Sequence, residues 1–112
     1  MRYRALDPGL LKHRLRIESV AESGGTTGLG EVTRTWSLLG NRWGLMEPLS
    51  GRELEYARQV HPEVTYRGTI RYWSAVTAQH RVVYDSRVFD IKVVLNPGEE
   101  NEQLQLLCVE NG

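Results

Sequence analysis

Alternation with a period of two is the feature that most narrows what this chain can become. From Arg14 to Glu18 the order Arg-Leu-Arg-Ile-Glu sends Leu15 and Ile17 to one face of an extended backbone and the charges to the other. Residues 64–73 repeat the pattern, with Val64, Tyr66, Gly68, Ile70 and Tyr72 on one face and Thr65, Arg67, Thr69, Arg71 and Trp73 on the other. Residues 87–96 set Phe89, Ile91, Val93 and Leu95 against Asp90 and Lys92, and residues 103–110 gather Leu104, Leu106 and Cys108 on one side. A helix would scatter these apolar residues around its axis, whereas strands with one buried face collect them.

The intervening segments supply more strands, and turns. Residues 79–84 and 87–96 flank Asp85-Ser86, a connection of two-residue hairpin length. Residues 32–38, around Trp36, and 42–48, around Trp43 and Leu45, are two further candidate strands joined through Gly40-Asn41. Asn96-Pro97-Gly98 is a turn, and Glu99 to Glu102 are solvated. Residues 22–31, with Gly24, Gly25, Gly28 and Gly30, carry too much backbone freedom for a ladder and predict a long, mobile glycine-rich loop.

A helix signal stands out against this background. Ser50-Gly51-Arg52-Glu53 matches a capping box, in which the Ser50 hydroxyl accepts from the Glu53 amide and the Glu53 carboxylate reaches back. Leu49 and Leu54 hold the staple positions, and Pro62 biases His61 away from helical angles, so a short helix is expected over residues 51–60.

Six or seven short antiparallel strands with one helix imply a mainly β fold whose sheet closes, since an open sheet this small would leave long reactive edges. The expectation is a small antiparallel β-barrel, with the helix plugging an end or projecting as an arm. At 112 residues the chain has room for one domain, 1–112.

Composition bears on partners and chemistry. Lys plus Arg and Asp plus Glu stand at 14 each, so no global field steers the chain to nucleic acid or an anionic membrane. One cysteine excludes an intramolecular disulfide and suits a reducing compartment. No apolar run of signal-peptide or membrane-spanning length occurs, which predicts synthesis in the cytoplasm. His13, His61 and His80 lie far apart without ligand spacing, and Cys108 between Leu107 and Val109 suits a buried small hydrophobe better than a nucleophile. The glycines of residues 24–30 precede a strand and lack the Lys-Ser/Thr of a phosphate loop. No catalytic, metal or cofactor site is therefore expected, and the chain is not expected to be an enzyme.

One rival rests on Arg67, Arg71 and Trp73, with Arg81 and Arg87, because small barrels bind single-stranded nucleic acid through aromatics on a basic face. Alternating Arg and Thr also make an ordinary wet strand face, and the balancing acids favour that plainer reading. A ligand-binding or hydrolytic barrel would need a concave apolar pocket with convergent polar groups, and no segment points to one.

The order of these signals resembles the phage head-tail joining family, the head-closure or stopper proteins of tailed phages and phage-derived particles. The matching pieces are Gly9-Leu10 before His13-Arg14-Leu15-Arg16-Ile17, the glycine loop before Thr35-Trp36, Arg42-Trp43-Gly44 leading to Glu47-Pro48-Leu49-Ser50-Gly51-Arg52-Glu53, Ile70-Arg71-Tyr72, Arg81-Val82-Val83-Tyr84 before Phe89-Asp90-Ile91, and Leu106, Cys108 and Glu110 near the end. Each is weak alone, and their joint order over about a hundred residues is specific. The family more often carries Ala after the tryptophan, where this chain has Gly44.

The resemblance implies a virion neck protein made in the bacterial cytoplasm. It implies a ring, usually dodecameric, between the portal or adaptor complex and the tail or its terminator protein, around packaged DNA held without sequence-specific contacts. In such proteins the segment matching residues 49–62 points into the channel. On that basis Ser50, Arg52, Glu53, Glu55, Tyr56, Arg58 and Gln59 are candidate ring or channel contacts, and Glu22, Gly24, Gly25 and Glu31 are candidate loop contacts to an adjoining ring. Loop and helix are expected to move independently of the barrel, and deletion of residues 51–60 to leave it folded.

Overall fold

A computed structural model describes residues 8–24 and 32–111. Six antiparallel strands close into a barrel: β1 (His13–Gly24), β2 (Val32–Pro48), β3 (Tyr66–Arg71), β4 (Arg81–Tyr84), β5 (Arg87–Leu95) and β6 (Gln103–Asn111), in the spatial order β1-β2-β3-β6-β5-β4. The helix α1 (Gly51–Val60) follows β2, and short 3-10 helices occupy Pro8–Leu10 and Pro97–Glu99.

The alternating residues fill the barrel as the pattern requires. Leu15, Ile17, Ile70, Val82, Phe89, Ile91, Leu104, Leu106 and Cys108 are buried in one cluster with Met46 and Val76. The Tyr66 ring meets Phe89 edge-on, with centroids 4.9 Å apart. Glycine makes the close approach of β2 to β3 possible. A Cβ on Gly44 would lie 2.5 Å from Leu15 Cδ1 and 2.7 Å from the Thr69 carbonyl oxygen. Asp85 and Ser86 both take positive φ, 52° and 61°, the conformation that matches a two-residue turn to the twist of its flanking strands.

Three strand readings are corrected. The two candidate strands at 32–38 and 42–48 are one strand of 17 residues, because β1 pairs continuously along Gly40-Asn41 and leaves no turn there. The loop predicted from Glu22 begins later: Glu22, Ser23 and Gly24 pair with Arg34, Thr33 and Val32, while Gly25 and Glu31 lie outside the described residues. In β5 a register shift between Ile91 and Val93 inverts the alternation. Val94 therefore packs against the barrel core, Val93 turns to the outer wall, and Leu95 is exposed.

The expected face of β3 also ends early. The strand stops at Arg71, Tyr72 is exposed, and Trp73 turns back to pack against the barrel core beside Val76. The connection from β3 to β4 thus closes the barrel end with apolar side chains.

On the outer wall a second cluster joins Leu49, Ala57, Val64 and Leu107, with Leu54, Val93 and Val109 packed against it. The helix neither plugs an end nor projects. Its Ala57 and Leu54 cover apolar residues of β5, β6 and the chain entering β3. What projects is the far half of the β1–β2 hairpin. Strand β1 pairs with β4 only over Arg16–Glu18, and β2 pairs with β3 only over Gly44–Pro48. Residues 19–24 and 32–38 thus form a two-stranded arm, and the molecule extends 53 × 28 × 27 Å.

Candidate functional site

Of the residues proposed from sequence as partner contacts, Ser50 stands at the N-cap position of α1 and six others lie along it. Arg52, Glu53, Glu55, Tyr56, Arg58, Gln59 and Val60 are exposed, and only Ala57 of the helix is fully buried. Apolar contact on the inner side holds this face at a fixed attitude to the barrel. The helix start differs from the expected capping box. Gly51 takes φ +56°, turning the chain into the helix by a left-handed step, and the Ser50 side chain makes no cap hydrogen bond. The Glu53 carboxylate pairs instead with Arg67, 3.1 Å away on β3. Arg67 also donates to Glu47 at 2.6 Å. Burial opposes the charge of Arg67, but the two carboxylates outweigh it and raise its pKa, so the guanidinium stays charged and ties α1 to β2 and β3.

At the arm's base the buried Glu18 carboxylate accepts from Arg16 Nε and Arg81 Nε, each at 2.7 Å. Burial works to raise the Glu18 pKa, yet the two hydrogen bonds and their positive charges prevail and hold it below the usual carboxylate range. Arg81 also lies over the Trp36 ring, 4.1 Å from its centroid. One guanidinium therefore joins β4, Glu18 of β1 opposite the bulge at Leu39 of β2, and the first aromatic of the arm.

Arginines cover the other two indoles as well. Arg42 stacks on Trp73 at 3.7 Å, and Arg14 lies 5.4 Å from the centroid of the exposed Trp43. Arg87 donates to both oxygens of Glu110 and to the Tyr66 hydroxyl, which lowers the Glu110 pKa. The proposed basic-aromatic stripe is consequently not assembled. Arg67, Arg81 and Arg87 are each engaged by carboxylates, and Trp73 has left the strand face for the barrel end under Arg42. Sequence reasoning missed these pairings because every partner lies on a different element of the fold.

Cys108, His13 and His80 are held in structural contacts, whereas the buried His61 Nδ1 has no hydrogen-bond partner among the described residues. Burial pushes the Cys108 thiol up to about 12, with Asp90 adding to the effect, and its Sγ donates to the Leu106 carbonyl. His13 stacks on Tyr84 at 4.7 Å, and its Nδ1 accepts from the Met46 amide. His80 Nδ1 accepts from the Thr77 amide, and burial lowers its pKa. Among the described residues no group of three His, Cys, Asp or Glu is placed to hold a metal. One depression in the wall is open and polar, lying between Arg34, Trp36, His80, Arg81 and Lys92.

The chain is thus a closed barrel that carries a two-stranded arm and a helix whose outer side is bare. The chain belongs to the phage head completion protein family, whose model matches residues 6–111, and it is a phage-type head-tail structural protein. No curated protein matches it. Among solved structures it is similar in fold to a protein of Shigella flexneri 2a determined in solution, at 24% identity with 96% of this chain and 98% of that one covered, TM-score 0.72. It is also similar to a chain of the virion of a native gene transfer agent particle, at 15% identity with 90% and 96% covered, TM-score 0.61.

Proposed function

We propose that identical copies of this chain, each acting as one domain, form a ring in the neck of a phage-like particle. The ring sits between the portal or adaptor complex and the tail, helps retain packaged DNA and offers the surface on which the tail docks. Membership of the head completion family supports this position, and the bare outer face of α1 is the observation that supports the contact assignment. Charged residues of both signs beside Tyr56 suit a partner read by shape and paired charge. Ser50, Arg52, Glu53, Glu55, Tyr56, Arg58 and Gln59 make the ring or channel contacts in this reading. The hairpin end around Glu22, Gly24, Gly25 and Glu31 reaches an adjoining ring.

Deleting residues 51–60 is a poor test, because Val64 and Leu107 would lose their cover. Replacing Arg52, Glu55, Tyr56 and Gln59 together by Ala removes the outward groups and keeps Leu54 and Ala57. The variant is expected to melt within a few degrees of the parent protein yet give particles that leak DNA or lack tails. Normal yields of tailed, filled particles would refute the assignment.

A further inference from the structure

The arm exposes backbone edges on both sides. Among the described residues, β2 pairs over residues 32–43 with β1 alone, and β1 pairs over residues 19–24 with β2 alone. A free edge is a template for another strand unless Pro, Lys, inward charge or a cover blocks it. Residues 33–43 run Thr-Arg-Thr-Trp-Ser-Leu-Leu-Gly-Asn-Arg-Trp, rich in β-formers and without Pro, Lys or any acid. Leu38 and Trp43 are 46% and 55% exposed along it.

We infer that the β2 edge of one copy takes the β1 edge of the next, so that neighbouring arms merge into one sheet. The direction is favourable: β1 and β2 are antiparallel within an arm, so β1 of a second arm laid beside β2 continues the antiparallel order. β2 laid antiparallel against β2 would instead turn the second copy end over end, which a ring of equivalent copies does not allow. Each added copy leaves its own β2 edge open, so the contact is head-to-tail and repeats until a ring closes. The edge pairing rests on the ring reading above and supplies the contact between copies that it lacks.

Two single-cysteine variants of the full chain test it, Ala21→Cys and Thr35→Cys. These positions are cross-strand partners within one arm and so are placed on separate chains. The native Cys108 is buried and does not compete. Both variants replace the native chain in a particle-producing host, singly and together, and the purified particles are oxidised. Thr33→Cys and Ser37→Cys on the same face cover register shifts of two residues, and Val20→Cys, on the other face of β1, covers the odd shifts. The expected result is at least fivefold more disulfide-linked dimer with the mixed pair than with either variant alone. Particles that contain the chain but give no mixed dimer across the scan, or mainly Thr35→Cys homodimer, overturn the edge pairing and leave the ring reading standing. Particles assembled without the chain overturn both.

Discussion

The arm continues two of the barrel's six strands, β1 and β2, and the contrast between the two regions shows what pairing on both sides contributes. In the barrel half of β1, Leu15 and Ile17 are fully buried, with β2 on one side and β4 beginning alongside. A few residues further on the same strand has one partner, and its cross-strand pairs become Ser19 with Ser37 and Ala21 with Thr35. The Ser19 and Ser37 hydroxyls lie 3.3 Å apart, and Ala21, Thr35 and Ser37 are exposed. An isolated two-stranded ribbon is marginal in water. The arm's order at its base therefore depends on the Glu18, Arg81 and Trp36 contacts, which lie where the barrel ends.

That contrast can be broken first from the barrel side. Phe89→Ala should lower stability by about 3–5 kcal/mol, since the side chain is fully buried against Tyr66 and has no route to solvent; denaturant titration measures it. A loss under about 1 kcal/mol would mean the core is looser than its burial implies. Gly44→Ala comes next, at about 1–3 kcal/mol, because the new methyl meets the Thr69 carbonyl as well as Leu15 and Ile70. A neutral outcome would show that β2 and β3 separate easily here.

At the junction, Arg81→Ala should cost about 1–2 kcal/mol and speed amide exchange in residues 33–38 more than in β5. Equal protection of arm and β5 in the parent protein would contradict the division between them. The same junction predicts a pH effect of known sign. The folded Glu18 pKa lies below its ordinary 4.5, so the clamp contributes fully above that value and is lost as pH falls through the folded value. Arm exchange should therefore accelerate on acidification below about pH 4.5, and Glu18→Gln should abolish that dependence. The smallest effect is expected on the arm itself, where Thr35→Val should shift the melting free energy by no more than about 0.5 kcal/mol.

Much of the barrel was legible beforehand because alternation is a local property. The inward sets Leu15 and Ile17, Phe89 and Ile91, and Leu104, Leu106 and Cys108 need only an extended backbone and one dry side. The helix bounds were legible for a similar reason, with Ser50 and Pro62 bracketing residues that suit a helix. The candidate contacts on α1 followed from the resemblance, and the exposure of its outer face is compatible with them. The capping box was misread because Glu53 had a stronger partner in Arg67, remote in sequence and adjacent in space.

By itself, then, the order of residues determined that strands would form, which side chains most of them would bury and where the one helix would lie. Only the tertiary structure decided that β2 runs unbroken, that the register shift in β5 sends Val93 outside and Val94 inside, that Trp73 closes the barrel end, and that a hairpin projects while the helix lies flat. The physical reason is that a strand's two faces are set by its own period, whereas the place where its ladder gains or loses a neighbour is set by the length and bulges of chains elsewhere in the sheet.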